Sequence, residues 1–271
     1  MFRCLVTAII LLFLAGTGFA QTAGNTSDPK VPYGAGIAHL KDSGMGPLKL
    51  GFEFNNVFKR ELKVDTSLTD VKVEGQEYLL RLGYNIGDRF EPYAKFGVVN
   101  LKTKWEQSGT SIKAYSDKDF GAGFGMKVLA FESQEHRLRL SLDGHYFYAN
   151  PDISSARIDG ASSTISATEF KISQWQISGI LSMEFIVGGD KQNPATPYSV
   201  LPYVGLAYAD SETKVRFSTV NGSYNLGKGE NDKKLLFITG CEIVSPENIS
   251  LNVEGRFIGE TAGSGGCTIK F

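Results

Sequence analysis

The sequence predicts an all-β protein, a transmembrane antiparallel up-and-down β-barrel of ten strands, with eight or twelve as the alternative counts. Three observations predict it. Segment after segment alternates apolar and polar residues with a period of two, the connections between segments alternate short and long, and no apolar run after residue 20 reaches the ~18 residues of a spanning helix.

The alternation comes first because it fixes the elements. Leu138, Leu140, Leu142, Gly144, Tyr146 and Tyr148 share one face, against Arg137, Arg139, Ser141, Asp143 and His145. Leu48, Leu50, Phe52 and Phe54 oppose Lys49, Gly51, Glu53 and Asn55, and Tyr78, Leu80, Leu82 and Tyr84 oppose Glu77, Leu79, Arg81 and Gly83. Phe120, Ala122, Phe124 and Met126 oppose Gly121, Gly123, Gly125 and Lys127. Successive strand side chains point to opposite faces, so each stretch is a strand with one apolar face and one polar or small face. The strands are expected at 48–60, 72–86, 89–104, 117–131, 137–150, 168–187, 197–210, 233–245, 248–259 and 265–271.

An alternating strand also suits a soluble sandwich, and the soluble secreted β-sandwich stays as an alternative. Two features favour lipid. Aromatics sit near the ends of the apolar faces, as at Trp175 and Phe185, and ten residues of tilted strand cover roughly the ~25 Å lipid-facing band. Glycines 121, 123 and 125 recur on the polar face, where a narrow barrel must fit large inward neighbours.

Short connections at 86–89, 132–136 and 245–248, with a longer one at 188–197, alternate with polar loops at about 60–71, 105–117, 150–168, 210–232 and 260–265. Short turns on one side and long loops on the other are the habit of outer-membrane barrels. Asn221-Gly222, with alternating residues on both sides, suits a type I′ hairpin projecting beyond the membrane.

The chain begins as an exported one does. Arg3 precedes an apolar run from Cys4 to Gly16, and Gly18 and Ala20 place small residues before a cut at Gln21. Residues 1–20 are therefore expected to be a signal peptide, 21–46 a periplasmic lead-in or lumen plug, and 47–271 the barrel.

Composition removes other classes. The 271 residues carry 28 Lys+Arg and 29 Asp+Glu, a net charge of −1, which lacks the basic excess of a nucleic-acid binder. The 31 glycines follow no Gly-X-Y repeat, and 11% aromatic residues argue against disorder. Three cysteines make no disulfide framework; Cys241 and Cys267 share the outward parity and are expected as free thiols facing lipid. No metal-ligand spacing occurs, and no cofactor is expected.

The inward parity collects Lys49, Glu53, Glu77, Arg81, Lys95, Lys127, Arg137, Arg139, Asp143, His145, Glu184, Glu242, Glu254, Arg256 and Lys270. Both signs are interleaved. Such a set either pairs across the lumen and fills it or lines a narrow water-filled pore.

Glu91-Pro92-Tyr93 and Leu201-Pro202-Tyr203 echo one another as strand starts, and the last strand has Cys267, Ile269 and the terminal Phe271 on one parity. On these residues and the Gly-alternating strand at 120–125, the chain over 48–271 resembles the small OmpA/OmpX-like bacterial outer-membrane barrels. The resemblance implies the outer membrane as location, outer-membrane lipid as surroundings, and insertion by the barrel-assembly machinery through the C-terminal strand with Phe271 as its signal. The expected role is structural, surface-interacting or narrow-pore without catalysis, with loops 150–168 and 210–232 as the sites for a surface ligand. Asp117-Lys118-Asp119 and Asp143-Gly144-His145 also resemble the paired motifs of the omptins, ten-stranded barrel proteases, which makes Asp117, Asp119, Asp143 and His145 the residues of a catalytic alternative. Those pairs lie on consecutive strands, whereas an omptin-like cleft needs them facing each other.

Overall fold

The computed structural model describes residues 48–64, 68–87, 89–187, 198–220, 222–246 and 248–271. The expected signal peptide and lead-in lie outside the described residues. The strands are β1 (Leu48–Val64), β2 (Thr69–Tyr84), β3 (Phe90–Gln107), β4 (Thr110–Ser116), β5 (Asp119–Ser133), β6 (Leu138–Ala149), β7 (Ile153–Ile158) and β8 (Ala161–Ser163). They continue with β9 (Ile165–Met183), β10 (Phe185–Val187), β11 (Tyr198–Thr219), β12 (Gly222–Asn231), β13 (Leu235–Val244), β14 (Ile249–Ile258) and β15 (Glu260–Lys270). Among the described residues no helix is long and apolar enough to cross a membrane, which says nothing of crossing by strands.

Ten of these strands pair antiparallel in the closed order β1, β2, β3, β5, β6, β9, β11, β13, β14, β15 and back to β1. The ring is staggered. Register partners run from Asp210 through Trp175, Tyr146, Phe124, Ala94, Leu82, Leu50 and Ile269 to Ile249. The next residue, Ser250, opposes Val244, and Val244 opposes Ser199 rather than Asp210. A closed sheet needs that offset, because closure requires tilted strands.

Above the ring stands a second storey that the sequence reading assigns to loops. Residues 105–117, 150–168 and 210–232 hold the top of β3 and the whole of β4, β7, β8 and β12, with the tops of β9 and β11. At this height β4 and β7 take over from β5 and β6 beside β3, and β7 leads through β8 into β9. β12 bridges β11 to β1 in place of β13, β14 and β15. The wall thus narrows as it rises. Ser108-Gly109 and Asp159-Gly160, with φ of 52°, 81°, 47° and 84°, make the two tight turns that fold β4 and β8 back. Left-handed conformation at both central residues is the mark of the hairpin turn, and Gly takes its second place without strain. The expected loop at 260–265 is also absent: only Gly259 joins β14 to β15.

The two storeys have opposite polarity. Low on β9, Trp175, Ile177, Leu181 and Met183 face out while Gln174, Gln176 and Ser178 are buried inside. Higher on the same strand Phe170 and Ile172 are buried, and Lys171 and Glu169 pair outside at 2.7 Å. On β3, Tyr93 and Lys95 give way inside to Val99, Leu101 and Trp105, and outward Val98 gives way to Lys102 and Lys104. The switch follows the register round the wall, for Tyr78 opposes Val98, and Val98 opposes Phe120. All three are exposed.

The upper storey therefore has an ordinary dry core, with Trp105, Ile112, Phe170, Phe217 and Leu226 fully buried and the Trp105 and Phe217 rings 6.1 Å apart. Each such side chain contributes roughly 1.5–3 kcal/mol over remaining exposed. In the lower storey the glycines make room: a Cβ on Gly121 would meet the Phe147 ring at 2.5 Å, and one on Gly240 the Tyr203 ring at 2.4 Å.

Candidate functional site

The lower lumen holds the charges that the inward parity selects. On the wall formed by β1, β2 and β3, Lys49 Nζ donates to Glu91 Oε2 at 2.5 Å and Arg81 Nη2 to Glu91 Oε1 at 2.8 Å. Glu53 takes Lys95 at 2.8 Å and Arg81 at 3.5 Å, and the Arg81 guanidinium lies 3.8 Å over the Tyr93 ring. Where β14 and β15 meet β1, Arg60 Nη2 donates to Glu260 Oε2 at 2.7 Å, and Arg256 lies 3.5 Å from Glu260 and 3.6 Å from Glu254. Glu77 accepts from Asn55 Nδ2 at 3.4 Å. Near the short-turn end, Arg139 bridges Glu132 at 3.3 Å and Glu184 at 3.1 Å.

Register explains these partners. Side chains two apart on one strand, or opposite on neighbouring strands, reach one another across a concave inner wall. Desolvating so many charges costs several kcal/mol per ion unless each finds a partner of opposite sign. The interleaving of signs along each strand supplies those partners. Lys127, Glu242, Glu254, Arg256 and Lys270 are all buried in this packing.

Arg137 is the exception. It sits in the turn before β6 with φ of 52° and is exposed, so it belongs to the rim and not to the lumen. The period-two count carries it inward, but β6 begins at Leu138.

The catalytic alternative meets a different geometry. His145 Nδ1 lies 3.1 Å from Asp143 Oδ1, and the Tyr93 hydroxyl donates to both Asp143 oxygens at 3.0 Å. Asp143 and His145 are buried in the lumen. Asp117 is exposed at the foot of the upper storey, its N–H donating to Asp152 O at 2.8 Å, and Asp119 Oδ1 accepts the Phe120 N–H at 2.6 Å. Asp143 opposes Lys127, eight residues along β5 from Asp119, roughly 26 Å at ~3.3 Å per residue. The fold does not bring the two pairs together.

Cys241 and Cys267 are free and half-buried on the outer face, two strands apart with β14 between them. Among the described residues no group of three or more His, Cys, Asp and Glu side chains is placed to hold a metal. The terminal Phe271 N–H donates to Leu48 O at 3.0 Å, at the seam where the last strand meets the first. Outside, a notch of about 240 Å³ opens where β12 leaves β11, edged by Trp175, Asp210, Glu212, Lys228 and Glu230.

No protein-family model matches the chain, and no curated protein does. Solved structures do. The transport unit of the autotransporter AIDA-I from Escherichia coli is 14% identical, with 87% of this chain and 93% of that one covered and a TM-score of 0.41. The outer membrane protein OprG from Pseudomonas aeruginosa is 11% identical over 83% and 96%, with a TM-score of 0.39. The translocator domain of the autotransporter NalP from Neisseria meningitidis is 11% identical over 85% and 91%, with a TM-score of 0.38.

Two features of the site escape a residue-by-residue reading of the sequence. Glu91, Arg60 and Glu260 complete the ion pairs, and Tyr93 and Tyr203 join the network through their hydroxyls. Inward parity would have found four of them, but Arg60 has the outward parity of β1 and turns inward only through the register shift after Val57. The tyrosines read as apolar, and Arg60 and Glu260 fall at strand ends that the reading gives to loops.

Proposed function

We propose that the chain is an integral β-barrel of a bacterial outer membrane, filled along its lumen, with a structural or surface-interaction role carried by the storey above the membrane and no catalytic chemistry. The reversal of outward polarity partway up each long strand carries the reading. An outer face that is apolar below and charged above meets two solvents, and the apolar stretch from Trp175 of β9 to Phe185 of β10 spans about 25 Å along the axis of a tilted strand. A soluble sheet pair would bury that face.

The filled lumen supports a closed barrel over a pore. Lys127, Gln176 and Arg256 are no more than 1% exposed, which supports a middle of the ring packed by described side chains rather than filled by a solvent column. The apolar core then covers the top. Burial of Asp143 and His145, away from Asp117 and Asp119, supports the absence of hydrolytic chemistry. The position of Phe271 beside Leu48 supports recognition of the last strand by the assembly machinery, since that strand closes the ring.

Fractionation and bilayer recording test this reading together. The protein should stay with outer membranes through carbonate extraction, shift in mobility on gels when heated, and give no conductance steps in planar bilayers. A mature chain that remains soluble without detergent would overturn the membrane assignment, and steady single-channel steps would overturn the closed lumen.

A further inference from the structure

The upper storey carries a row of four cations in direct register. Lys72 opposes Lys104, Lys104 opposes Lys113, and Lys113 opposes Arg157, across β2, β3, β4 and β7. All four side chains point outward, since their chain neighbours Val71, Val73, Thr103, Trp105, Ile112, Ala114 and Ala156 are buried. Like charges directly opposite on paired strands are destabilising. A wall that keeps four in line needs negative charge from somewhere.

The row is neutralised at one end only. Asp70 pairs with both Lys72 and Lys104, and Glu61 opposes Lys72 from β1. Lys113 and Arg157 make no ion pair with any described residue. Of the acids beside them, Glu106 opposes Ser111, and Asp159 gives Oδ1 to the Ser111 N–H at 2.8 Å. The opposite wall shows what a balanced row looks like. There Lys171, Lys214 and Lys228 are also in direct register, and each has a carboxylate: Glu169 at 2.7 Å, Glu212 at 2.8 Å and Glu230 at 2.8 Å.

We propose that the outer wall of β3, β4 and β7 docks an acidic polysaccharide chain, with Lys104, Lys113 and Arg157 taking its anionic groups and Tyr115 a sugar face. Two strand spacings of ~4.8 Å make the stretch from Lys104 to Arg157 about 10 Å long, the reach of about two saccharide units rather than of one small anion. Tyr115 lies one outward position from Lys113 and 5.9 Å from the Arg157 guanidinium, so a flat apolar surface adjoins the free cations. Height argues against a lipid headgroup. Lys104 stands six residues above Val98, the last exposed apolar residue on β3, which is about 15 Å along the axis and beyond the headgroup phosphates. The proposal rests on the outer-membrane reading only in assigning this face to the cell exterior.

The test measures dextran sulfate binding to the full chain in detergent micelles, with neutral dextran and anionic vesicles as parallel probes. Dextran sulfate should bind, more weakly as salt rises, and neutral dextran should not. Lys113→Gln with Arg157→Gln should weaken binding about tenfold or more, whereas Lys171→Gln with Lys214→Gln should change it less than about twofold. Lys113→Arg with Arg157→Lys should restore it, which separates lost charge from lost fold; each variant is first checked for its heat-dependent gel shift. Equal losses from both glutamine pairs, binding of vesicles without dextran sulfate, or no binding at all would overturn the docking surface. None of these outcomes bears on membrane insertion, which carbonate extraction reads separately.

Discussion

The ring of Tyr93 fills the space that Gly125 leaves empty. The two residues are register partners on β3 and β5, a Cβ on Gly125 would come within 2.5 Å of the tyrosine ring, and the hydroxyl runs on to Asp143 of β6. The same construction recurs across the ring. Tyr203 of β11 covers Gly240 of β13, and its hydroxyl reaches Glu254 of β14 at 3.2 Å. The Pro-Tyr echo in the sequence is thus two copies of one joint: tyrosine, facing glycine, carboxylate one strand further on.

Each joint should fail in a graded way. Gly125→Ala forces the Tyr93 ring to move and should cost about 1–3 kcal/mol by overpacking. Tyr93→Phe keeps the ring, removes the donor to Asp143, and should cost a similar ~1–3 kcal/mol. Gly240→Ala and Tyr203→Phe should behave alike. Denaturant unfolding from detergent micelles measures all four.

Depth along a strand should decide what a charge costs. Leu181→Arg places a cation at mid-height on the outer face of β9 and should destabilise the inserted protein by about 2–4 kcal/mol. Lys171→Leu, higher on the same strand, should stay within about 0.5 kcal/mol. Equal, small effects in folding titrations with lipid vesicles would mean that water wets the whole outer face.

Two arginines that look alike in sequence should differ sharply. Arg81 is buried between Glu53 and Glu91, so Arg81→Met leaves each of these buried carboxylates with a single lysine, Lys95 and Lys49, and should cost about 3–5 kcal/mol. Arg137→Gln, in the exposed turn, should change unfolding by less than about 0.5 kcal/mol. A large loss at Arg137 would return that residue to the lumen.

Acid should weaken the ion pairs of the upper storey only below the ordinary carboxylate range. The hydrogen bond from Lys72 holds Asp70 below its usual carboxylate range, and Lys214, Lys228 and Lys171 do the same for Glu212, Glu230 and Glu169. A carboxylate lowered on folding stabilises above its unfolded pKa of about 4, and that contribution is lost as pH falls through the folded value. Between about pH 5 and 8 these pairs should therefore leave stability flat, and their side-chain NMR titrations should have midpoints below the unfolded value. Being exposed, they should also weaken in high salt.

Much of the lower storey was legible because a ring with a polar inside and an apolar outside obeys a simple code. A strand with one polar and one apolar face must alternate, so Leu50, Phe52, Leu80 and Leu142 outside against Glu53, Arg81 and Asp143 inside could be read by parity. The upper storey obeys the same period with the faces exchanged. Val99, Leu101 and Trp105 still alternate with Lys102 and Lys104, but the apolar residues now point inward, and a search for apolar outer faces reads the stretch as polar loop. Asp159-Gly160 was the available clue, an Asp-Gly pair with alternating residues on both sides.

Alternation, turn chemistry and composition determine that this chain is built of antiparallel strands, and which side chains share a face, because a pleated strand leaves each residue only two directions. They leave open which neighbour each strand takes above the ring and how the inward groups combine. Those depend on contacts between residues far apart in the chain, such as Arg60 with Glu260, Tyr93 with Asp143, and β12 wedged between β11 and β1. Only the closed, staggered sheet brings such pairs within a few ångströms of each other.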